Sequence, residues 1–257
     1  MKKILIAIIF LFLSFANSAK ADEVTYVSLI PQITQIIYAL GGEDNLIGIS
    51  TGCRVPSTAA AEKPKLGNAF YIDTERVSIL KPTYIFTVPK SKKHFSNTYA
   101  GAKMIYLSFD SIQDVYDSTL TLGTLIGKEA KAKELVADLK IKVDSFKSSE
   151  PKKILYLVQT DPYITIGKTS YVTEIIEKSG NSSLTSNILQ EHPVLKKEDL
   201  PKYDPDIVIL SWPTDFRLLK VVYPNAKIIV LTPQKRNLIV YPNLRIWQII
   251  KYFSMLK

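Results

Sequence analysis

The stretch 75–89, ERVSILKPTYIFTVP, returns 123 residues later as 198–213, EDLPKYDPDIVILSWP. Both copies set a glutamate seven positions ahead of a proline, Glu75 before Pro82 and Glu198 before Pro205, with a short helical turn between. Both continue into an apolar run, Tyr84-Ile85-Phe86-Thr87-Val88 and Ile207-Val208-Ile209-Leu210. These runs are rich in β-branched or aromatic residues, as a strand buried on both faces requires. A further proline, Pro89 or Pro213, follows each.

The correspondence spreads outward. Downstream, Ala102-Lys103-Met104-Ile105-Tyr106-Leu107 answers Ala226-Lys227-Ile228-Ile229-Val230-Leu231, and upstream Tyr26-Val27-Ser28 ahead of Pro31 is similar to Tyr156-Leu157-Val158 ahead of Pro162. A repeat on this scale predicts two α/β lobes built on one plan. Strands are expected near 24–28, 46–50, 84–88 and 103–107 in the first lobe, and near 153–159, 206–210 and 227–231 in the second. Helices are expected at 32–40 and 74–80, then at 170–178, 196–200 and 243–256. Such alternation implies a parallel sheet in each lobe, with ligands gathering at the carboxyl ends of the strands.

Between the lobes the period changes. From Asp110 to Ser148, apolar residues recur at three- and four-residue steps (Leu122, Leu125, Ala132, Leu135, Leu139, Val143, Phe146), with Gly127 as a break. The second piece, from Glu129, is long enough at roughly 28 Å to run from lobe to lobe. The domain organisation is therefore a leader at 1–21, a first lobe at 22–109, a helical connector at 110–150 and a second lobe at 151–257.

The leader has two lysines, an apolar run from Ile4 to Leu13, and Ala19-Lys20-Ala21 as a cleavage site. This is the pattern of a secretory signal peptide, and the run is too short to span a bilayer, which takes about 20 residues. The mature chain is expected to be exported, soluble and periplasmic. Its charge falls from +9 to +6 with the loss of Lys2, Lys3 and Lys20, a balance that suits a solvated lysine surface. No arginine cluster, glycine-rich phosphate loop or aromatic-basic alternation points to nucleic acid. The single Cys53 excludes an internal disulfide.

Specific pieces then resemble one family, the periplasmic substrate-binding proteins of ABC importers for cobalamin, siderophores and haem. They are Ser28-x-x-Pro31 with the helix ending Leu40-Gly41, then Leu46-Ile47-Gly48-Ile49, Lys65-Leu66-Gly67 and Glu75-Arg76-Val77-x-x-Leu80-Lys81-Pro82. In the second lobe they are the run from Ile164 to Val172 and Asp204-Pro205-Asp206-Ile207-Val208. The resemblance implies two Rossmann-like lobes joined by one long helix, capture of an iron chelate or corrinoid between them, and delivery to a permease dimer in the inner membrane. It implies that Glu75 and Glu198 dock on arginines of that permease. Helix-start acids stabilised by the helix dipole are the plainer reading of the same two residues.

For the ligand, the expected cleft loops are 28–32, 51–54, 68–71, 87–90, 159–163, 168–171, 211–215 and position 241. The candidate contacts are Pro31, Cys53, Arg54, Asn68, Phe70, Tyr71, Lys90, Tyr163, Lys168, Tyr171, Trp212 and Tyr241. Aromatic faces suit a macrocycle or catecholate. Cys53-Arg54-Val55-Pro56 resembles the Cys-Asp-Tyr-Pro of cobalamin-type members, but Arg54 and Val55 depart from it. With Lys90 and Lys168, Arg54 better suits an anionic ligand. No resident cofactor or metal is expected: His94 and His192 lack partners at ligand spacing, although either histidine or a cleft tyrosine could ligate haem iron. Ser170, Ser211 and Asp161 have neither a nucleophile elbow nor a placed histidine, so a hydrolase is the weaker reading. An exported module uncoupled from transport, binding a small molecule or a protein, stays open. A monomer is expected.

Overall fold

The computed structural model describes residues 24–96, 98–99, 101–240 and 242–257. The expected leader lies outside the described residues. Within them, no helix is long and apolar enough to cross a membrane.

The first lobe runs β1 (Tyr26–Ser28), α1 (Pro31–Ala39), β2 (Leu46–Ser50), α2 (Ser57–Glu62), β3 (Lys65–Gly67), α3 (Thr74–Leu80), β4 (Tyr84–Thr87), a 3-10 turn (Pro89–Ser91), β5 (Thr98–Tyr99) and β6 (Ala102–Tyr106). Its sheet has the order β3-β2-β1-β4-β6-β5, parallel except for β5 at the edge. Local chemistry sets the helix starts: Pro31 occupies the first turn of α1, where an N–H is not needed, and the Asp73 carboxylate caps α3 by accepting from Arg76 N at 3.0 Å.

The second lobe runs β7 (Lys153–Thr160), β8 (Tyr163–Thr165), α6 (Tyr171–Lys178), β9 (Ser182–Ser183), β10 (Val194–Leu195), a 3-10 helix (Lys197–Lys202), β11 (Ile207–Leu210), α7 (Arg217–Val222), β12 (Lys227–Val230), α8 (Pro233–Val240) and α9 (Ile246–Ser254). The repeat is visible in the register. β1, β4 and β6 lie side by side in parallel, as do β7, β11 and β12. Beyond these three strands the plan departs. β1 is flanked on its other side by parallel β2, whereas β7 is flanked there only briefly by parallel β9, at Lys153 and Ile154, and then by antiparallel β8, followed by β10. Only Asp161 and Pro162 separate β7 from β8, and a link that short can join only antiparallel neighbours.

The connecting segment consists of α4 (Ile112–Leu125) and α5 (Glu129–Ser145). Ser111 caps α4 by accepting from Asp114 N at 3.0 Å. Gly127, at φ 71°, ends it: Lys128 N reaches Gly123 O at 2.7 Å and Gly127 N reaches Thr124 O at 3.3 Å, a Schellman closure that needs a left-handed residue. α4 is the element that touches both α1 and α6, while α5 folds back along α4 and against α9. The bridge between lobes is thus carried by α4, and α5 reinforces it from behind.

Each sheet buries both faces, and alternation along the strands divides the core. Tyr26 and Phe86 of the first sheet and Ile154, Tyr156, Ile207 and Ile209 of the second share one cluster with Leu122 of α4, Val136 of α5 and Phe253 of α9. Intervening residues face outward into separate clusters: Val27 and Ile85 with Leu66 and Val77, and Leu155, Leu157, Val208 and Leu210 with Leu200 and Leu219. At roughly 1.5–3 kcal/mol per fully buried large side chain, the shared cluster is a main source of cohesion between the lobes.

Tyr26 of β1 and Tyr156 of β7 are both buried in the shared core, at different points of the register: Tyr26 lies opposite Tyr84 and Tyr156 opposite Ile209. Tyr26 donates to Gly42 O at 2.5 Å, Tyr156 shares a 2.5 Å bond with Ser211 Oγ, and burial pushes both phenols up to about 12. Below pH 10 both are protonated whether the chain is folded or not. As pH rises from 10 through 12 the unfolded chain loses these protons first, so their contribution to stability, on the order of 2 kcal/mol each, is lost over that window. Urea midpoints measured at pH 9, 10 and 11 are expected to fall steeply only above 10. A flat profile would contradict the assignment.

Candidate functional site

The carboxyl ends of β1, β4, β7 and β11 and the starts of α1, α4 and α6 converge between the lobes around a cavity of about 380 Å³. The first lobe contributes Gln32, Pro89, Lys90 and Phe109, the start of the connector Asp110, and the second lobe Tyr156, Ser170, Tyr171, His192, Ser211 and Trp212, among others. A paired Thr87 and Ser91, with hydroxyls 2.9 Å apart, holds the turn that presents Lys90, whose Nζ lies 3.9 Å from Asp110. Trp212 is 54% exposed, and Arg236 lies 3.8 Å over its ring while donating to Ser211 O at 3.0 Å.

Two tyrosines form the floor. Burial raises both phenols, Tyr171 well above its ordinary value, so they stand in the cavity as protonated donors. Tyr171 donates to Leu238 O at 3.4 Å. Gln32 is 8% exposed, and its Oε1 has no hydrogen-bond partner among the described residues. A buried acceptor left open beside a cavity is a place for a ligand's N–H or O–H.

Glu191 and His192 arrive from a long loop after β9 that lies along β8 and its continuation. Thr165 N donates to Pro193 O at 3.0 Å, Gly167 N to Glu191 O at 3.0 Å and Lys168 N to Ile188 O at 2.6 Å. His192 Nδ1 stands 3.8 Å from Glu191, and the imidazole is about half exposed.

A second cavity of about 340 Å³ lies on the other side of the first turn of α1, with Pro31, Arg54, Leu238 and Arg245 in its wall. Beside it the lobes are tied directly. Gln35 Oε1 accepts from Asn243 Nδ2 at 3.2 Å and from Arg245 Nη2 at 2.9 Å. A second tie runs from Ile112 N at the start of α4 to Glu174 of α6 at 2.9 Å.

Of the residues expected to contact ligand, Lys90, Tyr171 and Trp212 line the first cavity and Pro31 and Arg54 the second. Cys53 does not: it is 0% exposed, its Sγ faces Val55 O at 3.4 Å, and burial pushes its thiol up, so it is a core residue. Asn68, Phe70 and Tyr71 line neither cavity. Asn68 instead accepts from Phe70 N and Tyr71 N in a turn after edge strand β3, which leaves both rings exposed and Phe70 edge-on to His94 at 5.3 Å. Tyr163 and Lys168 also line neither: Tyr163 lies on β8, which turns back along β7, and Lys168 lies beyond it, where its N–H donates to Ile188 O. Tyr241 lies outside the described residues. The lining residues not anticipated include Phe109, Asp110, Tyr156 and Glu191 in the first cavity and Arg245 in the second.

The comparisons with known proteins agree with this architecture. The vitamin B12-binding protein of Vibrio parahaemolyticus is 23% identical over 208 residues, covering 78% of this chain and 75% of that one. The high-affinity heme uptake system protein IsdE of Staphylococcus aureus is 22% identical over 204 residues, 76% of this chain and 69% of that one. Among solved structures, a periplasmic solute-binding protein from Staphylococcus epidermidis superposes with a TM-score of 0.77 at 23% identity, over 91% of this chain and 99% of the other, so the fold is the same. Residues 27–221 match the periplasmic binding protein family model. The chain belongs to the periplasmic binding protein family.

Proposed function

We propose that the protein is the substrate-binding component of an ABC importer and that it holds an iron chelate or a corrinoid in the cavity between its lobes. The observation that carries the reading is that cavity: both lobes contribute to it, and aromatic faces, a protonated tyrosine floor and a few polar heads converge there, at a volume suited to small ligands. Membership of a binding-protein family makes binding, and not turnover, its activity. The B12-binding and heme-uptake relatives support a chelate or macrocycle as cargo.

In this reading Trp212 and Tyr171 pack on the flat face of the ligand. His192 is the side chain in the cavity suited to offer a nitrogen to chelated iron, because Tyr156 and Tyr171 keep their protons. Export to the periplasm, release to a two-subunit permease and a monomeric state complete the proposal. Among the described residues no group of three His, Cys, Asp or Glu could hold a bare ion, which also favours a chelated cargo.

The test is a titration of purified protein with cyanocobalamin, haemin and a panel of ferric siderophores, following tryptophan fluorescence. The other tryptophan, Trp247, stacks on Phe146 at 6.0 Å and lines neither cavity. One class is expected to quench saturably, and Trp212→Ala should weaken it about tenfold, the worth of an aromatic contact plus its buried area. An absence of saturable binding across the panel would overturn the ligand class.

A further inference from the structure

The chain has five arginines, and the fold sorts them by partner. Arg76 on α3 and Arg217 on α7 each meet an aspartate, Asp73 at 3.4 Å and Asp215 at 2.6 Å. The three beside the interlobe groove meet no carboxylate among the described residues. Arg54 donates to the carbonyls of Thr51 and Cys53 at 2.8 and 3.0 Å, Arg236 to that of Ser211, and Arg245 to the amide oxygen of Gln35 at 2.9 Å. Neutral acceptors orient a guanidinium without cancelling its charge, and they leave most of its five N–H donors unspent.

Two of these three, Arg54 from the first lobe and Arg245 from the second, line the same cavity, the one of about 340 Å³. Its remaining polar wall is amide: Gln234, Asn237 and Gln248 join Gln35 and Asn243, and among the described residues no aspartate or glutamate lines it. The first cavity is different, because there Asp110 stands 3.9 Å from Lys90 and Glu191 lies beside the His192 imidazole. The interlobe groove therefore has one compartment that contains carboxylates and one that is cationic with none among the described residues. Guanidinium forks and side-chain amides are the donors that take carboxylates in pairs of hydrogen bonds.

We propose that the Arg54–Arg245 compartment is an oxyanion subsite that accepts carboxylate groups of the ligand, one arginine reaching from each lobe. The inference rests on the proposed function and narrows it, favouring carboxylate-bearing chelates over neutral or cationic ones. The first turn of α1 divides the two compartments, so the chelate body occupies the aromatic side while its acidic arms cross to the arginines.

Two matched pairs of probes test it: haemin against haemin dimethyl ester, and ferric citrate against ferrioxamine B, with cyanocobalamin as a further probe lacking free carboxylates. In at least one pair the carboxylate-bearing member is expected to bind tenfold or more tightly than its counterpart. The double variant Arg54→Gln/Arg245→Gln should erase that advantage while leaving the carboxylate-free probes within twofold, and Arg76→Gln should change nothing. Thermal melts of each variant verify folding. Equal affinities within both pairs, binding of cyanocobalamin alone, or a double variant that keeps its preference would overturn the subsite while leaving the transport reading in place. Failure of every probe to bind would overturn the transport reading, and the subsite with it.

Discussion

Charge reversal at both Glu75 and Glu198 is expected to abolish uptake by cells while leaving ligand affinity at the wild-type level. Both carboxylates are exposed, and neither has an ion pair or hydrogen bond among the described residues. Neither is required as a cap: Asp73 already caps α3, and Glu198 lies one residue into the 3-10 helix that begins at Lys197. Each sits in the turn leading into a matching strand, β4 or β11, so the internal repeat presents two equivalent anions on two lobes. An arginine paired with an exposed carboxylate contributes roughly 1 kcal/mol or less on its own, but two anions held at a fixed separation add their effects in one docking event. Reversal turns both attractions into repulsions. Uptake of radiolabelled ligand beside an equilibrium titration separates the two functions. Wild-type uptake by the double variant would sink the docking role, and a parallel loss of affinity would show that the residues serve the fold instead.

Gly167→Ala is expected to detach the loop that carries Glu191 and His192. A methyl group at this position would lie 1.9 Å from the carbonyl oxygen of Gln190 and 2.5 Å from that of Ile188, and both are backbone atoms that cannot rotate away. The hydrogen bonds from Gly167 N to Glu191 O and from Lys168 N to Ile188 O are then lost together. The expected cost is on the order of 2–3 kcal/mol of stability, combining overpacking with unmade buried bonds. Ligand affinity should fall with it, because one wall of the first cavity moves. Urea denaturation and the fluorescence titration read the two effects. A variant with unchanged midpoint and affinity would show that the loop has another low-energy path.

The first of these variants could be designed from the sequence, and the second could not. Strands buried on both faces leave unbroken apolar runs, so β4 and β11 and their leading glutamates were legible, as were the Ser111 start and the Gly127 stop of α4. β8 was not: Tyr163–Thr165 is too short to show a period, and its direction follows only from the two-residue link before it. The site was legible in its loops more than in its side chains. Lys90, Tyr171, Trp212 and Arg54 follow strands or begin helices, where the topology puts ligands, and they line the cavities. Tyr156 lies inside a strand run and reads as core, which it also is. Cys53 follows a strand but turns inward. Glu191 and His192 belong to a loop with no periodicity, and only its contact with the bare backbone of Gly167 brings them to the cavity.

The core shared across both sheets has a consequence for traffic at the membrane. With α4 wedged between α1 and α6, and with Gln35 and Glu174 tied across the groove, the lobes resist closing around cargo, and in the proposed docking role the spacing of Glu75 and Glu198 would then not report whether cargo is bound. On that reading an empty carrier would contend with a loaded one for the same permease. Productive uptake in that case depends on the ratio of loaded to empty carrier more than on the total amount, and a cell that exports surplus carrier slows its own import.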